Sequence, residues 1–413
     1  MKNISVIVGA QWGDEGKGKV VDFLADNVDI VARAQGGANA GHTIYINNEK
    51  FVFHLIPSGL LRGTPCVIGN GCVVHLKTLE EEMNILIDAG FDIKDKLFIS
   101  DRAHLIFEYH KELDADQENS KKNKIGTTKC GIGPAFSDKA NRIGIRVGMM
   151  ENFSEFERCL RRNAGIHGKD GIDDELAFHK EFYEKYGDMI IDTTDYLLNA
   201  HGQNKKILIE GAQGVHLDID LGTFPYVTSS NTTSAGAFTG TGLPINSVGE
   251  IVGVLKAYTT RVGEGPFVSE LDGEAGEYLR EQGGEYGATT GRPRRCGWFD
   301  AVVARFTARV NGITAWNLTK LDVLDTYKEI PVVVGYKIGN KEITKIPASL
   351  EELAHVEPII EVMPGWNQSI RQCREFKDLP TEAQSYVKKI ESLTGVSAKY
   401  IGVGPNRDEM IIS

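Results

Sequence analysis

A glycine-rich loop directly after a short apolar run constrains the fold of this chain more than any other feature. The run Ile4–Val8 is continuous and ends at Gly9, which is typical of a parallel strand buried on both faces. Residues 13–19 then fit G-x-x-x-x-G-K, the body of a P-loop. Glycines let backbone N–H groups point inward, and lysine adds a cation. The pattern therefore predicts a phosphate-binding loop between a strand and a helix.

The loop departs from the usual P-loop at one position. Val20 stands where a Ser or Thr hydroxyl normally binds Mg²⁺, and valine offers no oxygen. Asp14 is the nearby carboxylate, so it is predicted to hold the metal instead. A glycine turn with a purely structural role is the alternative. Two lysines and two acidic residues among the glycines disfavour that alternative.

The order of apolar and polar segments predicts the fold class. Strands are expected near 4–8, 29–34, 51–56, 66–68, 207–209, 251–257, 313–318 and 331–336, with helices at 17–25 and 76–89. This alternation predicts an α/β fold with a large, mostly parallel open sheet and flanking helices. The expected organisation is a single domain over 1–413, with helical and loop subdomains inserted at approximately 76–205.

Charge and cysteine usage exclude some classes of protein. The formal net charge of −11 argues against a non-specific nucleic-acid or membrane-surface binder, which needs a basic face. The six cysteines are scattered and form no CxxC pair, which favours reduced thiols. No signal peptide and no long apolar run is visible. A cytoplasmic location is therefore expected.

A second loop, at residues 35–43, carries the sequence Q-G-G-A-N-A-G-H-T after the second predicted strand. Its small residues give His42 no apolar packing, and loops at strand ends are where α/β proteins bind ligands. A surface or core histidine without a role is the equally weighted alternative. An acidic residue on the first loop and a histidine on the second could form an acid/base pair across a substrate.

Several motifs, in one order along the chain, resemble those of the adenylosuccinate synthetase family. They are residues 11–19, 39–43, 126–128 with 131–135, 210–214, 225–231, 287–295, 319–322 and 363–366. The resemblance covers nearly the whole chain. It implies a GTP-dependent ligase that joins L-aspartate to IMP through 6-phosphoryl-IMP, the step that commits IMP to AMP.

The resemblance also implies roles for particular residues. Asp14 matches the base that takes the N1 proton of IMP, and His42 matches the acid at the transferring phosphoryl group. Mg²⁺ is expected on Asp14 and the backbone oxygen of Gly41. The implied IMP ligands are Asp14, Glu15, Gly16, Lys17, Asn39, Ala40, Gly41, His42, Thr128, Gln213, Thr228 and Arg292, with Arg142 supplied by the other subunit of a homodimer. From the sequence alone, a solvated surface cation is the favoured explanation of Arg142.

Two further loops are implied to bind aspartate and GTP. Guanidinium groups bind carboxylates in bidentate fashion, which suits an aspartate loop. Its implied members are Ala288, Thr289, Thr290, Gly291, Arg292, Pro293 and Arg294. An aspartate after a strand, as in T-K-x-D, can accept from two guanine N–H donors and would be left unpaired by adenine. The implied GTP ligands are Gly13, Asp14, Glu15, Gly16, Lys17, Gly18, Lys19, Gly41, His42, Thr43, Arg294, Lys320, Leu321, Asp322, Gly402, Val403 and Gly404.

Two positions depart from the common family pattern, and two other functions compete with the ligase. Gly402 replaces a frequent serine and Cys130 a frequent basic residue. A regulatory P-loop GTPase would explain the glycine loop and T-K-x-D. It would not explain Asp14 with His42, and it needs the hydroxyl that Val20 lacks. Another P-loop-like ligase acting on a carboxylate is the third possibility.

Overall fold

The main feature of the fold is a twisted, mostly parallel β-sheet covered by helices. The structure is a computed structural model, and it describes residues 2–46, 49–120, 124–287 and 291–413. In this part of the chain the largest sheet has eleven strands. The predicted α/β class is confirmed.

The strands and helices of the described residues follow one another as strand–helix units. The strands are β1 Ile4–Gly9, β2 Ile30–Gly36, β3 His42–Ile46, β4 Glu49–Phe53, β5 Cys66–Val74, β6 Leu97–Ser100, β7 His104–Leu105, β8 Ile190–Ile191, β9 Ile207–Glu210, β10 Val248–Lys256, β11 Thr259–Arg261, β12 Arg295–Gly297, β13 Phe299–Asp300, β14 Ala315–Thr319, β15 Glu329–Ile338, β16 Lys341–Ile343, β17 Glu357–Pro364, β18 Ala398–Gly402 and β19 Met410–Ile412. The α-helices are α1 Lys17–Ala25, α2 Leu76–Asp88, α3 Glu108–Ser120, α4 Ile132–Ala140, α5 Phe153–Ile166, α6 Asp173–Tyr186, α7 Thr193–Gly202, α8 Ser234–Thr239, α9 Gly273–Gly283, α10 Ala301–Asn311, α11 Leu350–Ala354 and α12 Thr381–Thr394.

Strand β1 lies in the middle of the large sheet. The spatial order is β19-β18-β14-β10-β1-β9-β2-β5-β6-β8, with β7 paired to β5. The neighbouring pairs are parallel except β18–β19 at one edge. Because β1, β2, β9, β10, β14 and β18 run in the same direction, the loops that follow them all emerge at one edge. That edge is where the motif residues meet.

The middle strands are buried along most of their length because helices cover both faces. In β1, Ile4, Val6, Ile7 and Val8 have no exposed surface. Alternate residues of β1 belong to different cores, with Val6 and Val8 on one side and Ile7 on the other. This is the continuous apolar pattern expected of a doubly covered parallel strand.

Two predicted strands lie outside the large sheet, so the predicted strands do not all belong to a single sheet. The segment 331–336 is part of β15, which pairs with β13, β16 and β17 in a second, four-stranded sheet. The segment predicted at 51–56 contributes β4, which forms an antiparallel hairpin with β3. A run of apolar residues predicts a strand but carries no information about its partner, because pairing depends on contacts distant in sequence.

Helices α2 to α7 fall within residues 76–202, together with three short strands. All six cysteines are free, as expected from their spacing. Among the described helices, none is both long and apolar enough to cross a membrane.

Candidate active site

Segments that follow three strands of the large sheet, β1, β14 and β18, are joined by direct hydrogen bonds at its carboxyl edge. The hydroxyl of Thr319, the last residue of β14, donates to the backbone oxygen of Glu15 at 2.7 Å. Lys19 Nζ donates to the backbone oxygens of Gly404, at 2.7 Å, and Glu409, at 3.0 Å, beyond β18. Burial lowers the pKa of Lys19 to about 8, although Asp322 opposes this shift. The glycine loop is therefore tied to both segments predicted to bind guanine.

The glycine loop needs left-handed backbone at three positions. Gly13 has φ 86°, Asp14 has φ 58° and Gly16, the N-cap of α1, has φ 93°. Only Asp14 adopts this conformation without being glycine. Non-glycine residues with positive φ are uncommon and concentrate at functional sites. The bend turns the Asp14 side chain outward, where 34% of its surface is exposed.

Glu15 fills the inside of the same loop. Its fully buried carboxylate accepts hydrogen bonds from the N–H groups of Gln11, at 3.0 Å, and Gly13, at 2.9 Å. Its other oxygen lies 2.7 Å from Lys17 Nζ. The Glu15 carboxylate therefore lies inside the loop and binds both its backbone N–H groups and its lysine.

Gln213 connects the glycine loop to the second loop, at residues 35–43. Lys17 Nζ donates to its backbone oxygen at 2.5 Å, and its side-chain amide donates to Asn39 Oδ1 at 3.1 Å. Asn39 in turn donates to Thr228 Oγ1 at 3.5 Å. Gln213 also has a positive φ of 55°. Four residues predicted to bind IMP from four distant parts of the sequence are therefore in contact.

His42 is paired with a buried carboxylate. Its Nδ1 lies 2.6 Å from Glu210 Oε1, and His42 is only 6% exposed. The expectation of a histidine in an open loop is wrong, because His42 begins β3 and is covered. Glu210, at the end of β9, also accepts from the N–H and hydroxyl of Ser58 at 2.9 Å each. Burial favours the neutral acid, but His42 and Ser58 hold the pKa of Glu210 below its ordinary value.

Asp14 is paired with Arg294 of the aspartate loop, which we also call the arginine loop. Arg294 Nε donates to Asp14 Oδ2 at 2.7 Å, and Arg294 Nη1 donates to Glu285 Oε2 at 2.6 Å. Glu285 is fully buried and also accepts from Lys256 Nζ at 2.9 Å. Burial would raise the pKa of Glu285, but Lys256, Lys320 and Arg294 lower it to about 2. Glu285 is therefore a permanent anion between cations.

The predicted guanine end is half-buried. Lys320 has a positive φ of 61° and donates from Nζ to Gly283 O at 2.7 Å. The Asp322 side chain is 11% exposed and lies 3.8 Å from Arg371 Nη2. Burial raises the pKa of Asp322, with Lys320 opposing. A β-carbon on Gly402 would meet its nearest atoms at 3.6 Å, so the serine common in the family would fit without a clash.

The aspartate loop is described only in part. Ala288, Thr289 and Thr290 lie outside the described residues. Gly291 has φ 64°, and Arg292 Nη1 donates to Gly126 O at 3.4 Å, which brings the loop of Thr128 to the arginine loop. Pro293 bridges to Tyr286 across the base of the loop.

The remaining predicted residues are positioned mainly by their backbone. They are Gly18 in the first turn of α1, Ala40 and Gly41 before β3, Thr43 in β3, Leu321 at the start of a 3₁₀ turn, and Val403 after β18. Ala40 O accepts from His54 Nδ1 at 2.6 Å. The exposed Arg142 follows α4 with φ 63° and donates its N–H to Lys139 O.

One histidine–carboxylate cluster lies away from this site. His110 Nε2 is 3.1 Å and His167 Nε2 is 3.0 Å from the carboxylate of Asp138. His110 Nδ1 accepts from the N–H of Phe107 at 3.1 Å. A neutral His110 ring therefore carries its proton on Nε2, the atom that a metal would need. The cluster is a hydrogen-bonded network in this geometry.

Sequence reasoning missed three members of the site. Glu210 and Glu285 each pair with a predicted residue, and Thr319 holds the glycine loop. Both carboxylates lie in or beside recognised motifs, at a strand end and at the start of the arginine loop. An acidic residue in such an apolar or glycine-rich context was the available signal, because buried carboxylates need partners.

Comparison with known proteins gives a consistent answer. The sequence model of the family described as adenylosuccinate synthetase matches residues 6–411. The chain is 49% identical over 423 residues to adenylosuccinate synthetase from Caldanaerobacter subterraneus subsp. tengcongensis, covering 99% of each chain. It is 48% identical over 425 residues to the Clostridioides difficile protein of that name, covering 100% of this chain and 99% of the relative.

Solved structures agree with the sequence comparisons. Fully ligated adenylosuccinate synthetase from Plasmodium falciparum superposes with a TM-score of 0.95 at 43% identity and covers 100% of both chains. A succinoaminodeoxyadenylate synthetase from cyanophage S-2L superposes with a TM-score of 0.66 at 21% identity, covering 100% of this chain and 95% of its own. The second match shows a shared fold only.

Proposed function

The chain belongs to the adenylosuccinate synthetase family, and from this premise we propose how its own residues divide the work of the reaction. It is a GTP-dependent ligase that forms adenylosuccinate from IMP and L-aspartate, a step of AMP biosynthesis. Membership of this family excludes the alternative of a regulatory P-loop GTPase. The observation that carries the residue assignment is a pair of contacts, one from Arg294 to the partly exposed Asp14 and the other from the buried Glu210 to His42.

The first step is phosphoryl transfer to IMP. Asp14 takes the N1 proton, and the O6 oxygen attacks the γ-phosphorus of GTP. The bond between that phosphorus and the bridging oxygen breaks, and its electron pair leaves with GDP. His42 donates to the oxygens of the transferring group, and Glu210 stabilises positive charge on His42. Lys17 and the loop N–H groups supply the positioning and electrostatic stabilisation that phosphoryl transfer mainly requires.

The second step is displacement by aspartate. The aspartate amine attacks C6, and the oxygen bound there leaves with phosphate. Gly291, Arg292, Pro293 and Arg294, with Ala288, Thr289 and Thr290, form the proposed aspartate loop. Arginine suits this task because its planar fork matches a carboxylate. Glu15, Gly16, Asn39, Ala40, Gly41, Thr128, Gln213 and Thr228 are the proposed IMP ligands, and their contacts with one another support a common site.

Guanine recognition is assigned to Asp322. Its carboxylate can accept from both N1–H and the exocyclic amine of guanine, while adenine would leave it unpaired. Its side chain is mostly covered, which makes an unpaired charge costly. Lys320, Leu321, Gly402, Val403 and Gly404 complete the base pocket. Gly13, Gly18, Lys19 and Thr43 lie toward the phosphates.

The residues present fit Mg²⁺. Magnesium prefers hard oxygen ligands and usually keeps only one or two from the protein. Asp14 offers a carboxylate at the sheet edge and Gly41 a backbone oxygen, whereas the fully buried Val20 offers none. When bound there, the ion neutralises charge on the nucleotide phosphates.

A homodimer with shared sites is part of the proposal. Arg142 is exposed on a turn after α4, as a residue that reaches another subunit must be. It would bind the phosphate of IMP in the partner's site. A cytoplasmic location is also proposed, and the free state of all six cysteines fits a reducing compartment.

Isotope transfer tests the reaction sequence directly. We expect phosphate release from GTP only when IMP and aspartate are both present, and adenylosuccinate in equal amount by mass spectrometry. With IMP labelled by ¹⁸O at position 6, the label should appear in the released phosphate. Phosphate without label would show that O6 is not phosphorylated. ATP in place of GTP is the matched control for the nucleotide.

Subunit mixing tests the shared site. Chains with Asp14→Asn and chains with Arg142→Leu are each expected to be poor enzymes. A mixed dimer would hold one site with intact Asp14 and an intact Arg142 from the partner, so mixing should restore activity at one site per heterodimer. No gain, with subunit exchange verified by mass spectrometry, would place Arg142 in its own chain's site or outside any site.

A further inference from the structure

Glu285 lies where the aspartate loop, residues 320–322 and the large sheet come together. Its carboxylate accepts from Lys256 Nζ, at the end of β10, and from Arg294 Nη1. The hydroxyl of Tyr258 donates to it as well. Two residues earlier, Gly283 O accepts from Lys320 Nζ at 2.7 Å.

The backbone at Glu285 closes the arginine loop. Arg294 N–H donates to Glu285 O at 2.9 Å, and Gly287 N–H donates to Arg292 O at 2.8 Å. Arg280 Nε then donates to Arg294 O at 2.8 Å. Arg294 is therefore fixed through its main chain and through one edge of its guanidinium. The other edge, at Nε, reaches Asp14.

The contacts of Glu285 orient the Arg294 side chain and do more than neutralise a buried charge. Lys256 alone would satisfy the Glu285 carboxylate in a buried ion pair. The second cation, Arg294, is 12% exposed at its side chain and faces the site. Holding its Nη1 edge restricts a side chain that otherwise has much rotamer freedom.

We propose that Glu285 is a positioning residue for ligation, which sets Arg294 so that one guanidinium serves both the aspartate loop and Asp14. The proposal rests on the roles assigned above to Arg294 and Asp14. The Nε edge of Arg294 donates to Asp14 in the structure. Glu285 still binds Nη1 on the opposite edge of the guanidinium. The Nε–H group can therefore donate to an incoming anion instead of to Asp14, while the arginine stays in the site. Asp14 is then free to take the proton from IMP.

The test must separate positioning from support of the fold. Glu285→Gln leaves Lys256 as an uncompensated buried cation, which alone would destabilise the chain. The double variant Lys256→Met with Glu285→Gln removes both charges of the pair. We expect it to recover the thermal midpoint lost by Glu285→Gln. We do not expect it to recover kcat/KM for aspartate, which should stay about 50-fold below the parent, as after loss of a charged hydrogen bond. Recovery of kcat/KM together with stability would overturn the proposal.

A second cycle asks whether Glu285 acts through Arg294. Glu285→Gln on the Arg294→Ala background should change kcat/KM less than about threefold, since the partner is already gone. A full additional loss of about 50-fold would overturn the proposal. Near-parental activity of Arg294→Ala would overturn it too, and would fault the role of Arg294, while adenylosuccinate formation by the parent chain reports the reaction independently. Glu277→Gln, on the exposed face of α9, is the matched control and should be indistinguishable from the parent.

Discussion

Two buried charge networks in this chain are built from different cations. At the sheet edge, Glu15 and Glu285 are paired with Lys17, Lys256 and Arg294. In the helical region within residues 76–202, the partners are histidines, as in the cluster of His110, Asp138 and His167. Lysine and arginine ordinarily stay charged through neutral pH, whereas histidine changes charge between about pH 5 and 8.

The difference indicates whether each region mainly supports turnover or stability. Apart from His42, the cations paired at the sheet edge are lysines and arginines, which keep their charge while anionic ligands bind and leave. In the proposed mechanism, the helical region meets ligands only through Thr128 and the turn of Arg142. Its network of hydrogen bonds stabilises packing. Changes at the sheet edge should therefore affect turnover, and changes in the helical region should affect stability.

The largest expected effect is on turnover after Asp14→Asn. An amide cannot take the N1 proton, so kcat should fall by about 10³-fold or more, which is roughly 4 kcal/mol in the barrier. Because Asp14 is one-third exposed, the thermal midpoint should change little. Steady-state kinetics and a thermal melt on the same preparation check both. Asp188→Asn, exposed in the helical region, is the control. A kcat within tenfold of the parent would contradict the assignment.

The next effect concerns the carboxylate behind His42. Glu210→Gln removes the charge that stabilises a protonated His42, and kcat should fall by about 100-fold, the effect of one lost charge-assisted contact. Ser58→Ala is the matched control, because it removes another hydrogen bond to Glu210 and leaves the contact with His42. It should cost less than about fivefold. Equal losses in the two variants would mean that Glu210 acts only as a buried structural group.

Nucleotide choice should respond more modestly to Asp322→Asn. The amide retains one acceptor but loses the charge, so the GTP-over-ATP ratio of kcat/KM should narrow by about 10- to 30-fold. Competition between the two nucleotides in one assay measures the ratio. Asp408→Asn, exposed beyond β18, should leave it unchanged. An unaltered ratio in Asp322→Asn would move the guanine site elsewhere.

The contrast between the networks also explains what could be predicted from the sequence. The glycine loop and α1 were predicted within a residue of their observed bounds, because local glycine and apolar spacing specify a strand–turn–helix unit. The assignment of β15 to its own sheet was not predictable, since strand pairing depends on distant residues. The contacts of Glu210 with His42 and of Glu285 with Lys256 also join distant residues, and one sequence carries no record of such pairs.

Motif resemblance supplied the site residues that local reasoning could not. It brought Gln213, Thr228 and Arg292 into the prediction, although nothing in their neighbourhoods indicates a shared ligand. It gave no account of Glu285, whose importance lies in contacts rather than in a recognised role. The proposed domain organisation and the roles of individual residues stay predictions.

The smallest expected effect on turnover, and the one that separates the two regions most directly, is that of mild acid. Burial lowers the pKa values of His75, His104 and His179 to about 4, well below the ordinary value of 6.5. Their stabilising contribution is complete above pH 6.5 and is lost as pH falls toward 4, because the unfolded chain then binds more protons. Glu175 opposes this trend, since burial raises its pKa to about 7 and it stabilises the folded state as pH falls. The three histidines outweigh it.

The free energy of local opening in the helical region should therefore fall by about 2 kcal/mol between pH 7 and pH 5.5, since each unmatched proton contributes about 1.4 kcal/mol per pH unit. Hydrogen exchange measured by mass spectrometry should show peptides from α3 to α6 losing protection, while peptides from β1 and β10 keep theirs. His179→Phe removes one titrating group among Phe107, Phe156 and Phe178, whose rings lie 5.3–5.4 Å away. The pH dependence should then be shallower by about one proton. An equal loss of protection from hydrogen exchange in β1 and β10 would show that the stability of the two regions does not differ in its dependence on pH.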